Sequence, residues 1–229
     1  LKTDAGGCDR SQSRVDAASF ISANMVIAPA PSVPEISLYT AHPGSGLWRL
    51  VGRGEAGEVP PYWAYRWAGG TVLARYILDH PETVSGKRVL DLGAGSGIVG
   101  IAAMKAGATS VVAADIDENA VIAIGLNAAL NGVSVEAMLG DLTIGQPPAV
   151  DLIAVGDLFY DPSLALRVTA FLRQCVAAGI RILVGDPGRA FLPHVHLRPV
   201  AEYPVSDFGE GGAIERKPSA VFSFIEVDE

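Results

Sequence analysis

The chain has 229 residues, of which 49% are hydrophobic and 18% charged, and a formal net charge of −8. That length suits one α/β domain with a real core and is short for two, and the composition excludes a disordered chain. The acidic balance argues against nucleic acid, because phosphate contacts supply most of that affinity, and two distant cysteines, Cys8 and Cys175, indicate neither a disulfide framework nor a zinc knuckle.

Leu1 to Ser13 is polar and reads as a tail; the first residue is Leu rather than Met, which suggests a trimmed or engineered start. Val15 to Met25 fits a short helix. Ala28 to Pro34 holds three prolines and reads as an extended linker. Residues 1–33 are therefore expected to be tail, helix and linker, and residues 34–229 one domain with a lid segment over residues 34–80. Pro34–Tyr39 is weakly alternating and suits a strand or an extended arm, and Arg49–Val59 suits a loop. Pro60 to Gly70 carries two of the three tryptophans, Trp63 and Trp67, and Gly70–Leu78 has helical spacing.

The most informative stretch is Arg88–Gly100. An apolar strand, Val89–Leu92, runs into Gly93, Gly95 and Gly97, and a helical pattern follows. Glycines here let backbone approach a ligand, and the helix start offers free N–H groups. Gly95-Ser-Gly97-Ile-Val-Gly100 fits the dinucleotide pattern, with Asp115 about 20 residues on. Asp91, just before the first glycine, points elsewhere: a pyrophosphate disfavours a carboxylate there, whereas a ligand with an ammonium group accepts one, as does a loop that needs an acceptor for its own N–H groups.

An alternating series follows. Strands are expected at Arg88–Leu92, Ser110–Asp115, Ser134–Leu139, Leu152–Val155 and Ile180–Val184, with helices at about 96–106, 118–130 and 163–176. Such alternation implies a Rossmann-like α/β fold, a parallel sheet with helices on both faces. Val200–Val205 and Ala220–Val227 suit an antiparallel C-terminal hairpin, with the acidic stretch Asp207–Glu215 in its loop. Ligands in such sheets lie beyond the carboxyl ends of the strands. Asp115-Ile116-Asp117, Gly140-Asp141-Leu142, Gly156-Asp157-Leu158-Phe159-Tyr160-Asp161 and Gly185-Asp186-Pro187-Gly188-Arg189 all fall there. A carboxylate at Asp115 can accept both hydroxyls of a ribose, and Asp117 suits the helix N-cap. Asp186 to Arg189 is either a plain turn or a contact to substrate. His194 and His196 have no third ligand in view and suggest no metal site.

Val89 to Gly97 resembles the first motif of the seven-strand, class I methyltransferases. The resemblance implies S-adenosylmethionine as cofactor, with Asp91, Gly93, Gly95, Gly97, Asp115, Ile116 and Gly156 around it. It also implies Asp141 on the adenine amino group, Leu142 beside the ring and Trp67 over the site. Asp157-x-x-Tyr160 resembles the signature of the protein-lysine methyltransferases of this class, which implies catalytic roles for Asp157 and Tyr160. A carboxylate can orient an amine, and an aromatic can wall in the alkyl stem and the sulfonium. Trp63, Phe159, Asp186 and Arg189 are the expected substrate contacts.

The likeness is closer still to the lysine methyltransferases of the electron transfer flavoprotein β subunit. It is carried by Pro34–Leu38, Pro61–Ala64, Trp67–Gly70, Val89–Gly93, Asp115–Asp117, Leu126-Asn127 with Asn131, Gly156–Asp161 and Gly185–Arg189. Ser96 departs from the vertebrate pattern, which has cysteine. The implied partner is that flavoprotein subunit, with no nucleic acid and no membrane, for a monomer in the cytoplasm, or in the mitochondrial matrix if eukaryotic. Three rival readings remain at this point. They are a methyltransferase of ribosomal protein L11 or of a small amine, a nicotinamide-dependent oxidoreductase, and a non-catalytic adenosylmethionine-binding module.

Overall fold

A computed structural model describes residues 16–51, 60–205 and 218–227. The expected tail (Leu1–Ser13) and the acidic stretch Asp207–Glu215 lie outside the described residues, as do residues 52–59 of the expected loop.

Helix α1 (Ala17–Asn24) starts where the Asp16 carboxylate accepts the Ala18 N–H. The expected linker is instead an antiparallel hairpin of β1 (Val26–Ala30) and β2 (Val33–Thr40). Its prolines do not forbid the pairing. Pro31 sits in the turn, and Pro29 and Pro34 occupy a two-stranded ribbon whose every strand is an edge, where a missing N–H is tolerated. Val33, Ile36 and Leu38 of β2 are buried in the main core. A one-turn helix α2 (Trp48–Val51), a 3-10 turn at Tyr62–Ala64 and helix α3 (Ala68–Asp79) follow.

The remaining elements run β3 (Arg88–Leu92), α4 (Ile98–Lys105), β4 (Ser110–Asp115), α5 (Glu118–Leu130), β5 (Glu136–Leu139), β6 (Leu152–Gly156), α6 (Pro162–Ala177), β7 (Arg181–Asp186), β8 (Leu197–Pro204) and β9 (Pro218–Phe224). They build one seven-stranded sheet of order β5-β4-β3-β6-β7-β9-β8. The first five strands in that order pair parallel, and β9 pairs antiparallel with both β7 and β8. No helix among the described residues is long and apolar enough to cross a membrane.

Period-two alternation divides the core. Val89, Leu152, Ala154 and Leu183 pack with α3 and α4 on one face. Leu90, Leu92, Ile153, Val155, Ile182 and Val184 pack with α6 on the other. Asp91 shares the parity of Val89, so its carboxylate faces α4, where Oδ2 accepts the Gly100 N–H at 2.8 Å.

The hairpin is held by two asparagines, Asn127 in α5 and Asn131 at its C-cap. Asn127 Oδ1 accepts the Tyr39 N–H at 2.9 Å while its Nδ2 donates to the Ser96 carbonyl at 2.9 Å. One turn on, Asn131 Oδ1 accepts the Ser37 N–H at 3.0 Å and its Nδ2 donates to the Ser37 carbonyl at 2.7 Å. The amides thus satisfy the outer edge of β2 as a neighbouring strand would. Asn127 is fully buried and ties the hairpin to the glycine loop.

Candidate functional site

A cavity of about 390 Å³ opens at the carboxyl ends of β3, β4 and β6 and is walled by the Tyr62–Trp67 segment. Its floor is the β3–α4 loop. Gly93, Gly95 and Gly97 all have positive φ, at 67°, 53° and 79°, a region that side chains strain. Their surroundings differ. A Cβ on Gly93 would strike Leu158 Cδ2 at 2.6 Å, so that glycine makes room for a protein neighbour. A Cβ on Gly95 would meet nothing nearer than Trp63 Cα at 3.8 Å, so its missing side chain leaves space in the cavity. Asp91 lies beneath, 2% exposed. Burial pushes its carboxyl up to about 7, against the lowering effect of the Gly100 N–H.

On the next strand, Asp115 accepts the Gly95 N–H with Oδ2 at 2.8 Å and the Asp117 N–H with Oδ1 at 3.0 Å. Burial raises its carboxyl above the usual range, opposed by those backbone donors. Asp117 caps α5, accepting the Asn119 N–H at 2.8 Å. Ile116 lines the cavity and is largely exposed. Beyond β5, Asp141 and Leu142 form another wall; Asp141 accepts from Thr143 and faces Arg167 at 3.5 Å.

At the end of β6 the backbone is crowded. A Cβ on Gly156 would meet Gly70 Cα at 2.9 Å, so this glycine, while lining the cavity, lets the first turn of α3 approach the sheet. Asp157 follows with φ 59°, the one positive-φ non-glycine among the described residues. Asparagine and aspartate visit that region more readily than most residues, at a cost of about 1 kcal/mol or more. Asp157 Oδ2 accepts the Gly70 N–H at 2.8 Å. Its Oδ1 takes Arg189 Nη2 at 2.6 Å and Nε at 3.2 Å, with side chains only 12% and 19% exposed. The Arg189 guanidinium stands 5.6 Å from the centre of the Trp67 ring. Trp67 donates its indole N–H to the Tyr62 carbonyl at 2.7 Å. Tyr62 in turn meets Trp67 edge-on and Tyr160 at a tilt, each with ring centres 5.6 Å apart. Tyr160 is 47% exposed at the mouth; burial, then Tyr62 and Asp115, raise its hydroxyl above the ordinary value.

The structure therefore brings the expected cofactor residues Trp67, Asp91, Gly93, Gly95, Asp115, Ile116, Asp141, Leu142 and Gly156 to one cavity, with Trp63, Asp157, Tyr160 and Arg189. Gly97, expected with them, does not line it: a Cβ there would meet Ile124 at 3.3 Å, so this glycine makes room for α5. Two expected substrate contacts are elsewhere. Phe159 is 0% exposed and packs in the α6-side core, since the left-handed turn at Asp157 sends it inward while Tyr160 faces out. Asp186 is 1% exposed and closes its own turn, accepting the Gly188 and Arg189 N–H groups at 2.7 Å each. The Asp157–Arg189 pair was not anticipated; nothing in the sequence links positions 32 apart. Tyr62 and Arg167 also line the cavity unforeseen, although Tyr62 lies in the aromatic cluster that marked the lid. His194 and His196 fall in a 3-10 turn, with His196 stacked on Phe224.

Residues 70–155 match the family model for ribosomal protein L11 methyltransferase (PrmA), a span from α3 to β6 that carries the cavity floor. The electron transfer flavoprotein beta subunit lysine methyltransferase of Xenopus laevis is 39% identical over 216 residues, covering 90% of this chain and 86% of that one. The enzyme of the same name from Danio rerio is 43% identical over 187 residues, covering 80% of this chain and 72% of its own. The 16S rRNA N2 G1207 methyltransferase of Thermus thermophilus, solved with AdoMet and guanosine, shares the fold at TM-score 0.54 and 18% identity, over 88% of this chain and 50% of that one. The glycine loop by itself left a nicotinamide enzyme open, but relatives matched along nearly the whole chain decide otherwise: the chain belongs to the electron transfer flavoprotein β-subunit lysine methyltransferase family.

Proposed function

We propose that this enzyme methylates a lysine of the electron transfer flavoprotein β subunit, at the cavity mouth formed by Asp157, Tyr160 and Trp67. The observation that carries the reading is that Asp157 and Tyr160 open onto the same cavity as the β3–α4 glycine loop. The match to the L11 family model ends at β6, before Asp157, and supports the shared cofactor half rather than a ribosomal substrate.

The cavity suits S-adenosylmethionine, the cofactor of the family, on two counts. The Trp63 indole Nε1 is buried without a hydrogen-bond partner in the protein, a costly arrangement that a ligand acceptor relieves. Gly95 leaves open space in a cavity that Asp91 and Asp115 also line, and those carboxylates fit an amino group and a ribose respectively. When bound, this cofactor supplies a methyl on a sulfonium, which a neutral lysine amine takes in line while the carbon–sulfur electron pair stays on sulfur.

The protein's share is position and exclusion of water. Asp115 would accept ribose hydroxyls on lone pairs not used by Gly95 and Asp117. Asp141 and Leu142 would flank the adenine. Tyr62, Trp67 and Tyr160 would wall the lysine stem, and Asp157 would orient the ε-amine. A carboxylate cannot create the neutral amine, because it favours the ammonium form.

The test is incubation with methyl-labelled cofactor and a cell extract, followed by identification of the labelled protein and residue. Label on lysine of the flavoprotein β subunit is the expected outcome. Label on L11 instead would move the enzyme to the rival substrate, and no transfer to any protein would overturn the reading.

A further inference from the structure

We infer that Arg189 acts as the charge balance of the lysine slot, pairing with Asp157 so that the site receives the neutral amine without stabilising the ammonium. The inference rests on the lysine-methylation reading above and assigns a positioning role to a residue of the β7–β8 loop.

The geometry argues for a fixed pair. Asp157 Oδ1 is held by two guanidinium nitrogens, and Oδ2 by a backbone N–H of α3. Arg189 is held from behind by the Trp67 ring, and its own N–H is bound by Asp186 at the turn. The buried turn carboxylate of Asp186 thus sets where Arg189 begins, and Trp67 sets where its head group rests. The two guanidinium donors converge on Oδ1 while the Gly70 N–H holds Oδ2, so both oxygens are engaged and the carboxylate is fixed in orientation as well as in charge.

The chemical problem explains why such a pair is useful. A lysine amine has an ordinary pKa of about 10.4, so near pH 7.4 only about one in a thousand is neutral and nucleophilic. An unbalanced carboxylate within about 4–6 Å raises an amine pKa by about one to three units. A slot built on Asp157 alone would therefore capture lysine in its unreactive form. With Arg189 beside it, the carboxylate keeps its hydrogen-bonding direction while the net charge facing the amine is near zero.

Other charged groups face the slot. Burial raises Tyr160 above its ordinary value, so it is neutral at pH 7.4. Arg167 is paired with Asp141 across the cavity, and Arg66 lies on the lid wall. Asp115 and Asp117 stand on the ribose side, and Asp91 titrates near 7 beneath the loop. All are common to the variants below, so differences between variants isolate the Asp157–Arg189 pair.

The experiment is single-turnover methyl transfer to the flavoprotein β subunit, with enzyme and cofactor saturating, started by rapid jumps to pH values from 6.5 to 12 so that the limb of each variant is followed to its plateau. Each rate is normalised to that variant's own high-pH plateau. Arg189→Gln should move the rising limb up by about one to two pH units, with a loss of about tenfold or more at pH 7.4 and convergence at high pH. Asp157→Asn, which leaves the guanidinium unbalanced, should move the limb the opposite way and lower the plateau. Arg189→Lys should keep the limb near its wild-type position. S-adenosylhomocysteine affinity should stay within a few-fold throughout. An Arg189→Gln limb in the wild-type position with a uniformly lower plateau would overturn the inference and make Arg189 a packing residue. Tighter substrate binding with an unmoved limb would also overturn it, marking Arg189 as a placeholder for the lysine. Should Arg189→Gln melt below the assay temperature, the direction of the Asp157→Asn limb decides: downward supports the balance, unmoved refutes it. Wild-type enzyme that transfers no methyl to lysine refutes the proposed function itself, and is read before any variant.

Discussion

The first turn of α3 rests on the ends of β6 and β7 with no side chain between them, and Gly69→Ala tests that contact. An added Cβ at Gly69 would lie 2.3 Å from the Gly185 carbonyl oxygen and 2.7 Å from Asp157 Oδ2. Ordinary contacts of this kind are about 1 Å longer, and neither neighbour is the free end of a flexible chain. One is strand backbone; the other is clamped by Arg189 and by Gly70. Insertions into packed interiors cost about 1–3 kcal/mol, and rigid surroundings place this one at about 3 kcal/mol. At about 2–4 °C per kcal/mol for a chain of this size, the melting temperature should fall by about 6–12 °C. Methyl transfer should fall further than stability alone explains, because the displaced carboxylate is Asp157. The assay is urea and thermal unfolding monitored by circular dichroism, with single-turnover transfer on the folded fraction. A variant that melts within 2 °C of wild type and transfers methyl at the wild-type rate would refute the close packing. Gly125→Ala is the control: Gly125 lies mid-α5, exposed, with nothing within 4 Å of the new Cβ, and it should stabilise by about 0.5–1 kcal/mol.

Three further outcomes concern the cofactor cavity. Asp91 has a carboxyl raised to about 7 by burial, so the free folded protein holds a proton there that the unfolded chain releases near pH 4; its contribution to stability falls as pH rises from about 4 to 7 and is level above. A bound ammonium group favours the ionised form, so S-adenosylhomocysteine affinity should rise between pH 6 and 8, and Asp91→Asn should flatten that rise in calorimetric titration. Asp115→Ala should weaken cofactor binding by about 1.5–3 kcal/mol, the scale of lost charged hydrogen bonds; unchanged affinity would remove the ribose role. Gly95→Val should abolish cofactor binding, since its side chain strains a φ of 53° and enters the cavity where Gly95 has only Trp63 Cα nearby; retained binding by the folded variant, measured in the same titration, would place the cofactor elsewhere.

The frame of this protein was readable because β3, β4, β6 and β7 are largely buried on both faces and bounded by glycine and aspartate. β3, β4 and α5 fall on the expected residues. The hairpin was misread because three prolines in seven residues argue locally against regular structure, whereas its stability comes from Asn127 and Asn131, about ninety residues away. At the site, residues at strand ends were legible because strand direction fixes where they point. Phe159 was not, since one left-handed residue, Asp157, reverses which neighbours face out. Asp186 looks like a rim acid in sequence, yet its own turn consumes it. The Asp157–Arg189 pair joins two loops and leaves no periodicity to detect.

The most direct measurement uses purified electron transfer flavoprotein β subunit, expressed without its methyltransferase and incubated with S-adenosylmethionine and either wild-type enzyme or Asp157→Asn. Intact-mass and peptide-fragmentation spectra then report the number and position of added methyl groups. The expected result is methyl mass confined to lysine with the wild-type enzyme, and strongly slowed transfer with Asp157→Asn at equal cofactor affinity. Unmodified flavoprotein with wild-type enzyme that binds its cofactor, or equal transfer by the two proteins, would contradict a lysine slot built on Asp157.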